Sequence, residues 1–330
     1  MSRDYVDICM ATYCGEAFLV EQLRSLSSQS FDNWRLLVSD DGSTDQTVNL
    51  ISSFAKEDKR IFDVSKKEPC RSATDNFIYL LSQTQAPYVM LCDQDDVWNY
   101  NKIETTLNKM KEMEALHGKQ IPVLVFTDST VVDENLDTIL PSFFDSLPFS
   151  PSSITIPELL VSNVVQGCTV MLNRAAVDLA NQHTIPPSFK YHDHWLASLV
   201  SVVGLIGYVN RSTMLYRQHS KNVVGSDKRL SVREELCNGL KRLFSKSAIA
   251  DACSFEVAFA FRAYDILGLD LPISDETRML LGLCASFPSS DPFERVHLIK
   301  KLALLREVDF YGRVTQLSAL LLAPYIKKEA

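Results

Sequence analysis

Apolar and polar positions along the N-terminal part of the chain follow two alternating periods. Apolar residues at positions 6, 8 and 10 have the period of a strand, whereas those at 18, 19, 23 and 26 have the period of a helix. This exchange recurs along the chain and is typical of an α/β domain with a mostly parallel sheet. The pattern predicts strands at 4–13, 34–40, 60–65, 88–92, 123–129, 166–173 and 208–219, and helices at 16–29, 44–57 (capped by Ser43 or Thr44), 74–83, 101–116 and from Arg174 onward.

The pattern changes in the C-terminal part, where it predicts helices only. A loop rich in Pro, Ser and Phe is expected at 141–157, and a domain boundary between residues 1–226 and a helical region at 227–330. Basic residues interleaved with leucines at 228–246 fit two interpretations that stay open here. One is an amphipathic helix on an anionic membrane surface, and the other is an ordinary solvated helix face.

Composition narrows the class of protein. The 330 residues carry a net charge of −8, which argues against a nucleic acid as partner. Eight scattered cysteines without a C-x-x-C pair are typical of reduced thiols rather than of disulfides or a zinc site. The sequence shows no signal-peptide pattern, and the apolar stretch at 195–209 contains two glycines that favour a helix followed by a strand. We therefore expect a cytoplasmic protein.

Three of the predicted strands end in acidic clusters, within the segments ATYCGE, SDDGSTDQT and DQDDVW. In an open parallel sheet, ligands bind beyond the carboxyl ends of the strands, so these clusters are expected to converge. Such a concentration of carboxylates indicates a divalent cation, Mg²⁺ or Mn²⁺, that bridges to a diphosphate. The residues concerned are Glu16, Asp40, Asp41, Asp45, Asp93, Asp95 and Asp96.

Two of these motifs have simpler interpretations when taken alone. The segment DDGSTDQT also suits a turn followed by a helix cap. The segment HDH at 192–194 suggests a metal site, but adjacent positions on a helix do not face each other. Two of its three side chains are therefore expected to point elsewhere.

Five segments together resemble a known family. They are DICMATYCGEAFLVEQLRSL, LLVSDDGSTDQT, VMLCDQDDVW, YHDHWLASL and YRQHSKNVVG, in an order and spacing that cover roughly residues 5–226. In this they are similar to the inverting family-2 glycosyltransferases, and most of all to the bacterial rhamnosyltransferases of cell-wall and capsular polysaccharides. The resemblance implies a GT-A fold, which is a Rossmann-like α/β fold for nucleotide-diphospho-sugars, over 1–226, with an all-helical extension at 227–330.

The resemblance also implies residue roles. Asp193 would be the general base. Asp96 would either contact the sugar or hold its loop. The donor nucleotide would be bound by Thr12, Tyr13, Glu16, Asp41 and Asp93, the donor sugar or acceptor by Asp96, Gln166, Gly167, His192 and Trp195, and the metal by Asp95 and His219. The chain departs from the family in having Cys14 where Asn is usual, and His194 where many relatives have an aromatic residue.

The implied activity is metal-dependent inverting transfer of a sugar, with Mg²⁺ or Mn²⁺ as cofactor. The favoured donor is dTDP-L-rhamnose, and the acceptor a lipid-linked oligosaccharide of a growing bacterial surface polysaccharide. UDP-galactose, UDP-glucose or a UDP-N-acetylhexosamine are alternative donors. A non-catalytic nucleotide- or glycan-binding protein is the alternative of another class. Peripheral association with the inner face of the membrane and a homodimer through the C-terminal helices are further expectations.

Overall fold

The computed structural model describes residues 4–146, 151, 154–161, 163–219 and 259–286. The chain divides into two compact units. The first contains the described residues of 1–146, 163–185 and 189–222, and the second those of 147–162, 186–188 and 223–330. The boundary predicted at 226/227 lies outside the described residues.

The first unit is built on one nine-stranded sheet. Its strands are β1 (Val6–Thr12), β2 (Trp34–Asp40), β3 (Ile61–Asp63), β4 (Tyr88–Cys92), β5 (Val97–Trp98), β6 (Val123–Val132), β7 (Thr138–Leu140), β8 (Met171–Asn173) and β9 (Leu205–Arg217). They lie in the order β3-β2-β1-β4-β8-β6-β9-β5, and β7 pairs with β6. Strands β1, β2 and β4 are buried almost throughout, since a parallel sheet is covered on both faces.

The prediction of a mostly parallel sheet is wrong for half of its ladders. Four strand pairs are parallel and four are antiparallel among the described residues. The main reason is β8, a short reversed strand inserted between β4 and β6. The predicted strand at 166–173 is shortened because Gly167–Thr169 forms a 3-10 turn. Since β8 runs antiparallel to β4, the residues that precede it lie at the carboxyl end of β4.

Helices follow the strands largely as the apolar periods predict. They are α1 (Leu19–Ser27), α2 (Thr47–Glu57), α3 (Ala73–Ser82), α4 (Lys102–His117), α5 (Ile156–Val161), α6 (Arg174–Asn181) and α7 (His192–Val203), with a 3-10 turn at Phe144–Ser146. In α1, for example, Leu19, Leu23 and Leu26 share one buried face. The apolar stretch at 195–209 is helix, then Gly204, then strand, as predicted.

The predicted hydroxyl cap of α2 is wrong. The N–H of Thr47 donates to Asp45 Oδ1 at 3.0 Å, and the N–H before it donates to Glu16 Oε2 at 2.8 Å. Ser43 is not available as a cap because its hydroxyl donates to Asp40 Oδ1 at 2.6 Å. Carboxylates suit this position, since the helix dipole places positive charge at the N-terminus. The cap also ties the first acidic loop to the second.

The described part of the second unit is helical. It contains α5, a helical stretch at 259–267 and a helix at Asp275–Ser286, where the sequence predicts helices at 251–268 and 274–287. Arg262 joins two of its segments by donating to the carbonyl oxygens of Leu160 at 2.7 Å and Ser188 at 3.1 Å. The predicted helices at 228–246, 293–308 and 313–326 lie outside the described residues.

Two expectations about composition are met in the part of the chain that the structure describes. Its cysteines are free thiols, and most of them are buried. None of its helices combines the length and the apolar character needed to cross a bilayer.

Stability of the first unit should depend on a buried ion pair at the amino end of β1. Asp7 is fully buried, accepts two bonds of 2.9 Å from Arg35, and also accepts the N–H groups of Gln85 and Ala86. Asp7→Ala should lower the free energy of unfolding by roughly 3 kcal/mol, because it leaves these donors unpaired. Asp178→Ala, which breaks an exposed pair, should change it by less than about 0.5 kcal/mol. Chemical denaturation measures both, and equal effects would contradict the assignment.

Candidate active site

The acidic clusters converge as the sequence predicts. Strands β2, β1 and β4 are parallel neighbours, with Thr12 opposite Asp40 and Met10 opposite Cys92. Their carboxyl ends therefore lie along one edge of the sheet. Three loops leave this edge, at residues 12–18, 40–46 and 93–96, and together they form the candidate site.

The first loop is tied to the third by a side-chain amide. Gln94 accepts the N–H of Tyr13 at 2.9 Å and donates to the carbonyl oxygen of Tyr13 at 3.0 Å. A Cβ at Gly15 would lie 2.2 Å from Gln94 Oε1, so a larger residue there would displace this amide. The ring of Tyr13 is left 60% exposed at the rim. Sequence reasoning missed Gln94, because nothing in the spacing distinguishes it from a spacer between two aspartates.

The second loop is shaped by two adjacent aspartates. Asp40 accepts the hydroxyl of Thr12 at 2.9 Å and so joins the second loop to β1. Asp41 accepts the N–H groups of Arg71 at 2.9 Å and Ser72 at 3.0 Å, one on each carboxylate oxygen. These bonds fix the carboxylate of Asp41 while leaving lone pairs for a ligand donor.

Asp95 and Asp96, two carboxylates of the third loop, have different surroundings. Asp95 Oδ2 lies 2.8 Å from His219 Nε2, and both side chains are partly accessible. Asp96 is fully buried and accepts the backbone N–H of Arg217 at 3.1 Å. From this position Asp96 holds the loop and presents no surface to a sugar.

Burial and mutual repulsion set the charge of this cluster. Burial, together with the charges of Asp95 and Asp193, raises the pKa of Asp93 to about 7. Burial and the charges of Asp95 and Asp93 raise the pKa of Asp96 well above its usual range. The raised pKa values of Asp93 and Asp96 favour their neutral forms, which weakens the repulsion within the cluster.

Two sets of side chains in this region could hold a cation. In one, the ligand atoms of Asp93, Asp96 and Cys168 lie within 4.8 Å of one another. Burial raises the pKa of the Cys168 thiol, and a thiol is a poor ligand for Mg²⁺ or Mn²⁺. In the other set, Asp95 and His219 offer a carboxylate and an imidazole that are partly accessible. Their chemistry fits a divalent cation whose remaining ligands are diphosphate oxygens and water.

The predicted base lies in the first turn of α7. Asp193 Oδ2 accepts the N–H of Gly167 at 3.0 Å, and its Oδ1 accepts the N–H of His194 at 2.8 Å. Gly167 begins the turn before β8, which brings it to the carboxyl end of β4. The charge of Asp193 is close enough to Asp93 to raise the pKa of Asp93. The base and the third acidic loop are therefore neighbours.

The side chains on either side of Asp193 point in different directions, as expected for consecutive helical positions. His192 stacks on Phe77 with ring centroids 4.1 Å apart, whereas His194 packs edge-on against Phe189. Trp195 also packs on Phe189 and is fully buried. The structure therefore places Trp195 in the core and does not bring it to a surface that faces a ligand.

Three buried nitrogens near the base have no hydrogen-bond partner within the described residues. They are Trp195 Nε1, His192 Nε2 and Gln166 Nε2, and the last two lie on polar side chains. Gln166 is oriented by the hydroxyl of Ser129, which donates to its Oε1 at 2.7 Å. Burial lowers the pKa of His192, so its ring is neutral at neutral pH. Unpaired buried polar atoms are rare in folded proteins, and ligand oxygens are natural partners for these two.

Comparison with known proteins agrees with this geometry. Residues 7–144 match the family described as Glycosyl transferase family 2. The dTDP-rhamnosyl transferase RfbG of Shigella flexneri is 27% identical over 66% of this chain and 74% of its own length. The Escherichia coli UDP-Glc:alpha-D-GlcNAc-diphosphoundecaprenol beta-1,3-glucosyltransferase WfgD is 28% identical over 53% of this chain. The chain spans 63% of WfgD, which is less than two thirds of that protein.

Solved structures share the fold at low sequence identity. Staphylococcus aureus TarS 1–349 in complex with UDP-GlcNAc has a TM-score of 0.58 at 14% identity, over 97% of this chain and 81% of that TarS 1–349 chain. The mannosyltransferase PcManGT from Pyrobaculum calidifontis, in complex with GDP-Man and Mn²⁺, has a TM-score of 0.53 at 15% identity, over 99% and 87%. The family match over residues 7–144 and these structures bear out the resemblance that the motifs carry: the chain has the GT-A fold and is similar to the family-2 glycosyltransferases.

Proposed function

We propose that the protein transfers L-rhamnose from dTDP-L-rhamnose, with inversion, onto a lipid-linked oligosaccharide of a bacterial surface polysaccharide. One observation carries the proposal of inverting transfer. A single carboxylate, Asp193, is fixed beside the acidic third loop, so that a base and a place for a diphosphate leaving group share one edge of the sheet. The similarity to RfbG supports the choice of rhamnose.

The first two loops would bind the nucleotide. Tyr13 and Asp41 present an exposed ring and a fixed acceptor, which suit the face and the N3–H of a pyrimidine. Thr12 and Glu16 act by shaping the loops, through Asp40 and the cap of α2. Thymine and uracil share the N3–H group, so these contacts suit dTDP and UDP alike.

Asp95 and His219 would hold Mg²⁺ or Mn²⁺. When bound, the cation neutralises the charge that develops on the departing nucleoside diphosphate. Asp93, with its pKa of about 7, is able to donate or accept a hydrogen bond at a ribose hydroxyl. PcManGT was solved with Mn²⁺, which supports a divalent cation here.

The transfer step needs one positioned base. Asp193 accepts the proton of the acceptor hydroxyl. At the same time the oxygen of that hydroxyl attacks the anomeric carbon, and the bond between this carbon and the diphosphate oxygen breaks. Gln166 Nε2 and His192 Nε2 would bond to sugar oxygens beside the base. Attack from the face opposite the leaving group inverts the anomeric centre.

Location and assembly belong to the proposal as well. A lipid-linked acceptor implies action at the cytoplasmic face of the membrane, with peripheral association through 227–330. A homodimer through the same region remains part of the proposal. Vesicle flotation and light scattering measure these two properties directly.

A donor panel tests the function. Nucleotide release would be measured with dTDP-L-rhamnose, UDP-glucose, UDP-galactose and UDP-N-acetylglucosamine, each with a synthetic diphospholipid-linked acceptor. Acceptor-dependent release from dTDP-L-rhamnose is expected. Release from a UDP-hexose alone would overturn rhamnose and favour the alternative that WfgD supports. Binding of nucleotide without release from any donor would favour a non-catalytic protein.

Removal of the base should abolish turnover without loss of donor binding. Asp193→Asn keeps an oxygen that accepts the N–H of Gly167 but cannot take a proton. We expect kcat to fall by about 10²–10⁴-fold with an unchanged affinity for donor. Asp178→Asn on the exposed face of α6 is the control. Turnover like that of the wild type in Asp193→Asn would remove this residue as the base.

The turn at Gly167 leaves little room beside the base. A Cβ there would lie 3.0 Å from His192 Nε2 and 3.3 Å from Asp193 Oδ2. Gly167→Ala should therefore shift the carboxylate and lower kcat by roughly 10–100-fold. Gly282→Ala, which meets nothing within 4 Å, is the matched control and should leave kcat unchanged. If both variants keep full activity, the position of Asp193 is less important than proposed.

A further inference from the structure

Arg217 at the end of β9 is an almost fully buried arginine, two residues before His219. Its backbone N–H donates to Asp96 Oδ1 at 3.1 Å, and its Nε donates to the carbonyl oxygen of Asp95 at 2.8 Å. Main chain and side chain of one residue thus hold two consecutive residues of the third acidic loop. Sequence reasoning did not assign a role to this arginine.

The rest of the guanidinium reaches two other parts of the first unit. Nη1 donates to the carbonyl oxygen of Glu134 at 2.6 Å, and Nη2 pairs with Glu21 on α1. Its plane lies 4.6 Å from the ring of Phe18, the residue before α1. The same ring lies 4.7 Å from the ring of His219. Arg217 therefore joins α1, the third loop, the turn after β6 and the end of β9.

Only a guanidinium satisfies this arrangement. Its planar fork donates in several fixed directions at once, whereas a lysine ammonium is a compact point charge on a flexible stem. The bond to the carbonyl of Asp95 fixes the peptide from which the Asp95 side chain reaches His219 Nε2 at 2.8 Å. Phe18, which lies against the guanidinium, also packs against the ring of His219.

We propose that Arg217 is the positioning residue that sets Asp95 and His219 at the separation needed to bind a divalent cation before the nucleotide arrives. This rests on the proposed function for the role of the cation. Arg217 touches neither the cation nor the sugar in this arrangement. It acts through the backbone of the third loop and through Phe18.

The test compares Mn²⁺ binding in three variants without nucleotide. Arg217→Lys keeps the charge but loses the fork. Glu21→Gln removes the negative charge of one partner whose side chain is half exposed, so it is the safer variant for folding. Arg35→Lys is the matched control, because it breaks a comparable two-bond contact at the opposite end of the sheet. Free Mn²⁺ would be titrated by electron paramagnetic resonance, with thermal melting as the check on folding.

We expect Arg217→Lys to weaken Mn²⁺ binding by about tenfold or more, with a smaller loss in Glu21→Gln and none in Arg35→Lys. In transfer assays the half-saturating Mn²⁺ concentration should rise for the first two variants, while KM for the acceptor stays unchanged. A folded Arg217→Lys protein that binds Mn²⁺ like the wild type overturns the proposal, and so does an equal loss in Arg35→Lys.

The donor panel separates this inference from the proposed function. Arg217-dependent Mn²⁺ binding in a protein that releases no nucleotide would contradict sugar transfer and support the positioning role. Sugar transfer, together with Mn²⁺ binding that is equal in Arg217→Lys and the wild type, would support the proposed function and refute the positioning role of Arg217.

Discussion

Repulsion among carboxylates at the carboxyl edge of β1, β2 and β4 is the constraint on which the site depends. Parallel pairing brings the acidic loops together even though their carboxylates repel one another. The structure relieves the repulsion differently at each position. Burial raises the pKa of Asp93 and of Asp96, Asp95 pairs with His219, and Arg217 donates to the backbone carbonyl of Asp95.

Most of the fold could be predicted from the sequence because its signals are local. Apolar periods located β1, β2 and β4, and strand ends located the acidic loops. The strand at β8 was predicted, but its reversed direction could not be, since three residues carry no information about direction. The capping residue of α2 was predicted wrongly for a related reason. The hydroxyl of Ser43 is used by Asp40, a tertiary contact that no local pattern records.

The residues of the site also divide into those that the sequence predicts and those that it does not. Asp193 and Asp95 stand in motifs that the chemistry of transfer explains, so sequence reasoning finds them. Gln94 and Arg217 act through backbone atoms of other residues, and such contacts depend on the fold rather than on neighbours in the chain. Trp195 shows the opposite error. A position inside a functional motif gave it a ligand role, whereas the structure buries it in the core.

The reversed direction of β8 has a consequence for how the site is assembled. The segment around β8 and α7 supplies Gln166, Gly167 and Asp193, while the nucleotide loops come from residues before Val97. The two parts of the site therefore come from separate stretches of chain, which pack together where β8 lies against β4 and where His192 stacks on Phe77. Substitutions in the second stretch would change the surroundings of Asp193 without altering the loops that bind the nucleotide.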